Sequence, residues 1–423
     1  MTSLRIRSGT VSGSVRAPPS KSYTHRALVA AYLSERPYRV EGPLDAADTR
    51  ATARALTAMG ASVRFSPDRW TISPAARSKT SPISIDCGES GTTLRFVATL
   101  AARSARSTRL VGRGRLPQRP SAPLFAALES LGASCRRPRG DRELPTTVRG
   151  PLHGGRIRLD SSVSSQFTSS LLLTLPTVPG DSTVDLVGPI VSAPYIEATL
   201  AVLRHHRIRI GRRGRRFTIP GDQTYRGHRA IVPGDASSAA YLWTAAAITG
   251  GTVRVTGVPT RWPQADLAIL DVLTAAGARV RRTTLGATVA AGPLRGFTAD
   301  LTSAPDLYPL VGVLAASIPA RSRIEGAEHV VHKESDRRIG TQRLARAMGA
   351  KVTFRGDGLS VVGTDRPTHF HWRGVGDHRI VMSAAVGAFA ADGVSTVEHA
   401  EAVAKSFPGF WDAVSSLGGC VNP

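Results

Sequence analysis

The sequence predicts the α/β class, arranged as six copies of one supersecondary unit shared by two globules of three. Three observations predict it. A cluster of hydroxyls, charges and glycine recurs roughly every 70 residues ahead of an apolar run. A second lattice, of helix end, glycine and strand, runs in register with the first. The composition, 41% hydrophobic and rich in Ala, Gly, Val and Leu, suits a soluble core.

In chain order the first lattice reads Ser20–Lys21–Ser22 with Arg26, Ser90–Gly91–Thr92–Thr93 with Arg95, and Ser164–Ser165–Gln166. Gly234–Asp235–Ala236–Ser237–Ser238, Pro305–Asp306 and Gly376–Asp377–His378–Arg379 follow. Apolar runs such as FTSSLLLTL, AAYLWTAAAI, PLVGVLAAS and IVMSAAVGAFA come after them. A polar residue ahead of such a run is an N-cap signal. Helix N-termini bind anions through unpaired N–H groups and a partial positive charge, so six of them converging would suit a polyanionic ligand.

The second lattice reads AMGASVRF (58–65), SLGASCRR (130–137), AAGARVRR (275–282), AMGAKVTF (347–354) and SLGGCV (416–421). Each glycine supplies the left-handed residue that ends a helix. A sixth copy, LRHHRIRI (203–210), is expected to keep the strand, with His206 in the glycine's place.

The 423 residues are too many for one core of ordinary size. The expected division is residues 1–15 plus 234–423 as a discontinuous domain, 20–228 as an inserted domain, and hinge crossings at 15–19 and 228–234. The cleft flanked by the two globules would then hold all six helix starts, and interdomain clefts are favoured ligand sites. No apolar stretch reaches the roughly 18 residues needed to span a bilayer, and MTSLRIRSGTVSG has no apolar core of a signal peptide. Three cysteines, Cys87, Cys135 and Cys420, lack metal spacing and fit a reducing compartment. A cytoplasmic protein is expected.

The net charge is +24, and all but five of the 55 basic residues are arginine. A nucleic-acid surface would want dense basic runs with interleaved aromatics. Here RHHRIRIGRRGRR (204–216) is the only dense run and aromatics are 5%, so nucleic acid is not the expected partner. The lysines are Lys21, Lys79, Lys333, Lys351 and Lys405, and three of them fall in polar motifs. Such placement in an arginine-rich chain points to a use for a compact ammonium.

Several motifs keep two readings. PSKSYTHRAL (19–28) is an anion site of Lys21, Ser22 and Arg26 or an exposed basic cap. CGESGTTLRF (87–96) is a capping loop in which Gly91 also lets a ligand approach the backbone. Arg119 in LPQRPSAPL is a ligand group or a solvated side chain. Ser164, Ser165 and Gln166 precede a buried helix and can bind sugar-like hydroxyls or phosphate, as can Ser192 and Tyr195 in SAPY. Asp235 and Asp306 are N-caps, or, for Asp306, a general base. Lys333, Glu334, Asp336 and Arg337 form a solvated face or a site. His378 and Arg379 oppose the macrodipole in a first helical turn, which argues against a purely structural purpose. Lys405 lies in AKSFPGFW ahead of another helix. No GxxxxGK[ST] loop and no GxGxxG after a strand signals a nucleotide cofactor. His369 and His371 alone do not make a metal site.

Taken jointly, SKSYTHRAL, SGTTLR, SSVSSQF, PGDASSA, KESDR, DHR and AKSFP resemble the EPSP synthase (3-phosphoshikimate 1-carboxyvinyltransferase) family in order and spacing, over nearly the whole chain. The resemblance implies two domains of three βαβαββ-type units each, an inside-out α/β barrel. It implies transfer of the enolpyruvyl group of phosphoenolpyruvate to the 5-hydroxyl of shikimate 3-phosphate, on the route to chorismate and aromatic amino acids, with no cofactor, no metal and no membrane, in a monomer. By resemblance, Asp306, Glu334 and Lys21 are catalytic. Lys21, Ser22, Arg26, Ser164, Ser165, Gln166, Ser192, Tyr195, Asp306 and Lys333 hold shikimate 3-phosphate. Lys21, Gly91, Arg119, Gln166, Arg337, Arg379 and Lys405 hold phosphoenolpyruvate, the site where glyphosate competes. Departures are Glu89 for a common Asn, Val331 for Arg, Ala193 for a basic residue and Gly376 for Asn, while His329 stands where Asn or His is usual. The sister family of UDP-N-acetylglucosamine enolpyruvyl transferases resembles the chain less, since Gly114 takes the place of its acidic cysteine. An RNA-binding or RNA-end-processing protein is the alternative of another class.

Overall fold

A computed structural model describes residues 2–74 and 81–422, so Lys79 lies outside the described residues. The chain divides into two compact units, Met1–Pro18 with Pro233–Pro423, and Pro19–Val232. The inserted unit carries α1 (Lys21–Leu33), α2 (Ala47–Ala58), α3 (Gly91–Ala101), α4 (Ala122–Ser130), α5 (Ser165–Thr174) and α6 (Ala193–His205). The discontinuous unit carries α7 (Ala236–Ile248), α8 (Ile269–Ala275), α9 (Tyr308–Ala316), α10 (Arg337–Ala347), α11 (His378–Ala390) and α12 (Phe410–Ser416).

Among the described residues there are six four-stranded sheets, all built to one plan. In the second copy, strand Ile83–Asp86 leads through α3 to Thr108–Val111, which pairs with it in parallel. The chain then passes through α4 into Ser134–Arg136 and Thr146–Arg149, and Thr146–Arg149 returns antiparallel to both Thr108–Val111 and Ser134–Arg136. This is the βαβαββ unit. Three copies borrow a strand from elsewhere in their own unit. Arg229–Ile231, inside the stretch assigned to the second crossing, pairs in parallel with Tyr38–Glu41. Gly13–Arg16 pairs in parallel with Thr252–Thr256. Ser3–Arg7 fills the third place of the sixth sheet, lying antiparallel to Val394–Glu398 on one side and Cys420–Asn422 on the other.

The helices α1, α3 and α5 pack on one another, as do α7, α9 and α11. They are buried on nearly all sides, and α7 and α9 are largely apolar all round, as a helix enclosed by other elements is expected to be: in α7 every residue except Ile248 is buried, and all nine of α9 are. The sheets lie outside these helices and show one face to solvent, so their strands alternate. Arg321, Arg323 and Glu325 are exposed while Ser322 and Ile324 are buried, and Arg156 and Arg158 alternate with buried Ile157 and Leu159. Much of the excess positive charge therefore sits on outer sheet faces.

The helix starts follow the first lattice, with two differences. Ser90, Ser164, Asp235 and Asp377 cap α3, α5, α7 and α11, each accepting a hydrogen bond from a backbone N–H of the first turn. Ser20 precedes α1 without a side-chain cap bond. Asp306 is not a cap: it lies in the turn Pro305–Leu307, before α9 starts at Tyr308.

The second lattice holds for Gly60, Gly132, Gly277, Gly349 and Gly418, all at φ between 91° and 108°. The sixth copy is displaced by one residue. The left-handed position belongs to Arg207 (φ 58°), and His206 is the buried residue before it. Residues 208–210 are also not a strand, because the Gln223 side chain takes both backbone groups of Arg209 and the strand begins at Gly211.

Candidate active site

In the discontinuous unit three segments bring the predicted charges together. Arg337, the first residue of α10, is 1% exposed and lies among three carboxylates. Its Nη1 donates to Asp306 at 2.7 Å, its Nη2 to Glu334 at 2.9 Å, and its Nε to Asp377 at 2.9 Å. Lys333 lies 3.4 Å from Asp306, and Arg379 Nη2 donates to the second Asp306 oxygen at 3.3 Å. Asp306 thus gathers three cations. Burial works against its charge, yet Lys333, Arg379 and Arg337 outweigh that and hold the carboxyl well below the ordinary range. Burial also opposes the charge on Arg337, but Asp377, Asp306 and Glu334 keep it firmly protonated.

The charge cluster at 333–337 resolves by role. Asp336 caps α10, accepting from the N–H groups of Arg338 and Ile339, while Lys333 and Arg337 pair with Asp306 and Glu334 accepts from Arg337. At α11 the conflict between Arg379 and the macrodipole is relieved, because Asp377 accepts the Arg379 N–H at 2.9 Å and Asp306 pairs with its side chain. His329, 7% exposed, lies in a turn packed on that of Asp306, and burial with the charge of Lys333 pushes its imidazole down to about 3. Lys405 closes the turn Ala400–Lys405, which packs on α11.

In the inserted unit the helix starts of α1, α3, α5 and α6 form a second polar set. Lys21 opens α1 and pairs at 3.1 Å with Asp48 of α2, a residue 6% exposed. Arg26, one turn further, is 3% exposed and spans α1, α5 and α6. It donates to the Ser22 and Tyr195 carbonyls at 2.9 Å each, to Thr199 Oγ1 at 2.9 Å and to Ser169 Oγ at 3.4 Å. Burial lowers its guanidinium only to about 10, so it stays charged. Ser165 is buried in the first turn of α5, beside the cap Ser164. Ser192 starts α6 in the left-handed region (φ 55°).

The Gly91 turn, Gln166 and the Arg119 loop meet at Arg95. Arg95 Nη1 donates to Gln166 Oε1 at 2.6 Å and Nη2 to the Pro120 carbonyl at 2.8 Å, while Gln166 Nε2 donates to Thr92 Oγ1 at 3.0 Å. A methyl at Gly91 would meet Arg95 Nη1 at 2.7 Å and Arg119 Cζ at 2.9 Å. The φ there is ordinary, so a methyl would be opposed by space alone and would have to displace these two guanidinium ends. Glu89 lies against Gly114, whose φ of 60° favours glycine, and a Cβ there would come within 2.5 Å of the Glu89 carboxylate.

Sequence reasoning missed Asp48 and Asp266, and named Asp377 only inside a motif. All three are buried, and two pair with cations far off in the chain: 27 residues for Asp48 and Lys21, 40 for Asp377 and Arg337. A near-absent exposure in a residue type almost never buried without a partner is the signal, and it needs a structure. Among the described residues no group of three His, Cys, Asp or Glu could hold a metal, and no helix is long and apolar enough to cross a membrane.

Comparison with known proteins places this geometry among relatives. The family model described as EPSP synthase (3-phosphoshikimate 1-carboxyvinyltransferase) matches residues 6–414. A 3-phosphoshikimate 1-carboxyvinyltransferase of Methanocella arvoryzae is 41% identical over 422 residues, 99% of each chain. That of Methanocorpusculum labreanum is 37% identical over 417 residues, 98% of each. The solved structure of an EPSP synthase from Acinetobacter baumannii, 24% identical, shares the fold with a TM-score of 0.83, covering 100% of this chain and 99% of the other.

Proposed function

Since the chain belongs to the EPSP synthase (3-phosphoshikimate 1-carboxyvinyltransferase) family, we propose that it transfers the enolpyruvyl group of phosphoenolpyruvate to the 5-hydroxyl of shikimate 3-phosphate. The observation that carries the reading is the pair of carboxylates, Asp306 and Glu334, held on one buried guanidinium among further cations. Addition–elimination needs two proton-handling groups and a positive surround for its anions. Each substrate carries a carboxylate and a phosphate, and a phosphate brings about −1.5 to −2 charges at neutral pH.

Lys21, Ser22, Arg26, Ser164, Ser165, Gln166, Ser192, Tyr195, Asp306 and Lys333 hold shikimate 3-phosphate in this reading. Lys21, Gly91, Arg119, Gln166, Arg337, Arg379 and Lys405 hold phosphoenolpyruvate. Asp306 takes the proton of the 5-hydroxyl as its oxygen bonds to C2 of phosphoenolpyruvate. Glu334, with Lys21, supplies a proton to C3, giving a methyl group and a tetrahedral intermediate. Glu334 then recovers a proton from that methyl as the bond from C2 to the phosphate oxygen breaks. Cations around C2 stabilise the intermediate electrostatically.

Asp306 is ionised, as a base must be, but the three cations that hold it low also weaken it. Anionic substrates engaging Lys333, Arg337 and Arg379 would draw charge away from Asp306 and raise its basicity when it is needed. The test is phosphate release by the purified chain with both substrates and no added metal. Release that needs both substrates supports the reading; none with either or both at millimolar concentration would refute it.

A further inference from the structure

Arg119 sits in a segment that cannot hold itself in place. Pro117 and Pro120 have no N–H to donate, so residues 117–121 are short of backbone donors. Within the turn, the Gln118 and Arg119 N–H groups reach back to the Arg115 and Leu116 carbonyls at 3.0 and 3.2 Å. The segment then enters α4 at Ala122, and Ser121, at the cap position, makes no side-chain cap bond. The first N–H groups of a helix have no partner inside it, so these need one from elsewhere.

Glu143, 22 and 21 residues further on, supplies it. Its Oε1 accepts the N–H groups of Ser121 and Ala122 at 3.0 Å each. Its own N–H donates to the Pro117 carbonyl at 2.6 Å. One residue therefore grips both ends of the segment that carries Arg119. Glu143 is itself anchored, because its carbonyl accepts the hydroxyl of Thr146 in the strand Thr146–Arg149, and Oε2 faces Arg137 at 3.9 Å. A carboxylate at the start of α4 also suits the helix dipole. From the opposite side Arg95 holds the middle of the segment through the Pro120 carbonyl. The Arg119 side chain, 7% exposed, lies against the Gly91 turn, so its place follows from where this backbone is held.

We propose that Glu143 is a positioning residue of the phosphoenolpyruvate site: it clamps the Arg119 segment at both ends and so sets the guanidinium beside the Gly91 turn. Glu143 acts through Arg119 and contacts no substrate. The effect on phosphoenolpyruvate rests on the proposed function; the clamp itself does not, and it is read without substrate.

The experiment compares wild type with Glu143→Met and Glu143→Gln. Met keeps the length of the side chain but offers the two N–H groups no carbonyl-type acceptor, whereas the Gln amide oxygen can still accept from both. Because a misplacement of about 1 Å can cost up to ~10²-fold, Glu143→Met should raise the KM for phosphoenolpyruvate roughly 10–100-fold with a smaller change in kcat. The KM for shikimate 3-phosphate should stay within about threefold. Glu143→Gln should recover most of the loss. A merely structural role would lower the melting temperature and the active fraction, and kcat with them, while leaving both KM values in place. That result, or a Gln variant as impaired as Met, overturns the proposal. Amide hydrogen exchange of the wild type, followed by NMR, covers a variant that fails to fold. The Ser121 and Ala122 amides should be protected although they open a helix, and exchange at the rate of a free helix start also overturns the clamp. Protection at both amides in a chain without transferase activity would sink the enolpyruvyl reading alone.

Discussion

Replacing Arg337 by Met should destabilise the protein far more than a typical substitution. The side chain is 1% exposed and holds Asp306, Glu334 and Asp377 together. Removing one partner of a buried ion pair costs ~3–5 kcal/mol, because the other charge stays buried and uncompensated. Three carboxylates do not triple that cost. Asp306, 21% exposed, keeps Lys333 and Arg379; Glu334 is 17% exposed and reaches water. The loss falls mainly on Asp377, whose side chain is 0% exposed and which retains hydrogen bonds from Ser335 Oγ and the Arg379 N–H. For a unit of about 200 residues this lowers the melting temperature by ~6–20 °C. The pH dependence has a sign. Asp306 is depressed in the folded state, so its contribution is present above the unfolded carboxylate value near 4 and lost as pH falls through the folded value. The deficit of Arg337→Met should therefore be largest near neutrality and shrink below about pH 4. Adding Asp377→Asn should recover part of it. Calorimetry of the three proteins reads this directly. A variant within ~1 kcal/mol of wild type at pH 7 would refute the claim that Arg337 is the hub of a buried charge cluster.

Other substitutions separate binding, chemistry and support. Lys21→Met should cut turnover roughly 10²–10³-fold, and adding Asp48→Asn should restore stability but not turnover; wild-type rates would make the SKS motif a mere cap. Asp306→Asn and Glu334→Gln should each lower kcat by ~10²–10⁴-fold with smaller changes in KM, and raised KM at full kcat would reassign both to binding. Gly91→Ala places a methyl 2.7 Å from Arg95 and 2.9 Å from Arg119, and it should weaken the longer glyphosate more than phosphoenolpyruvate by steric exclusion. An unchanged ratio of inhibition constant to KM would remove this turn from the phosphoenolpyruvate pocket.

The repeat was legible because its signals are local. A cap, an apolar run and a C′ glycine lie within one helix length, so the positions of α3, α5, α7 and α11 follow from a few adjacent residues. The sixth copy misled where no glycine marks the left-handed residue: Arg207 accepts that conformation, and the side chain of Gln223, 14 residues beyond Arg209, takes the place of a strand partner. The strand Arg229–Ile231 was illegible for a related reason, since it pairs with residues some 190 positions earlier. Within the site, cations were easy to nominate in a chain that uses lysine so sparingly. Which acids answer them was not, because Asp306 reads like a cap until its place before α9 is known and nothing local marks Asp48 as the partner of Lys21.

Transfer by addition and elimination passes through a methyl intermediate, and running the reaction in deuterium oxide tests that step. Product, identified by mass spectrometry and proton NMR, should gain deuterium at the vinyl C3 position, because a solvent-derived proton is added there before one is removed. Enolpyruvyl product formed at full rate with C3 free of deuterium would contradict it.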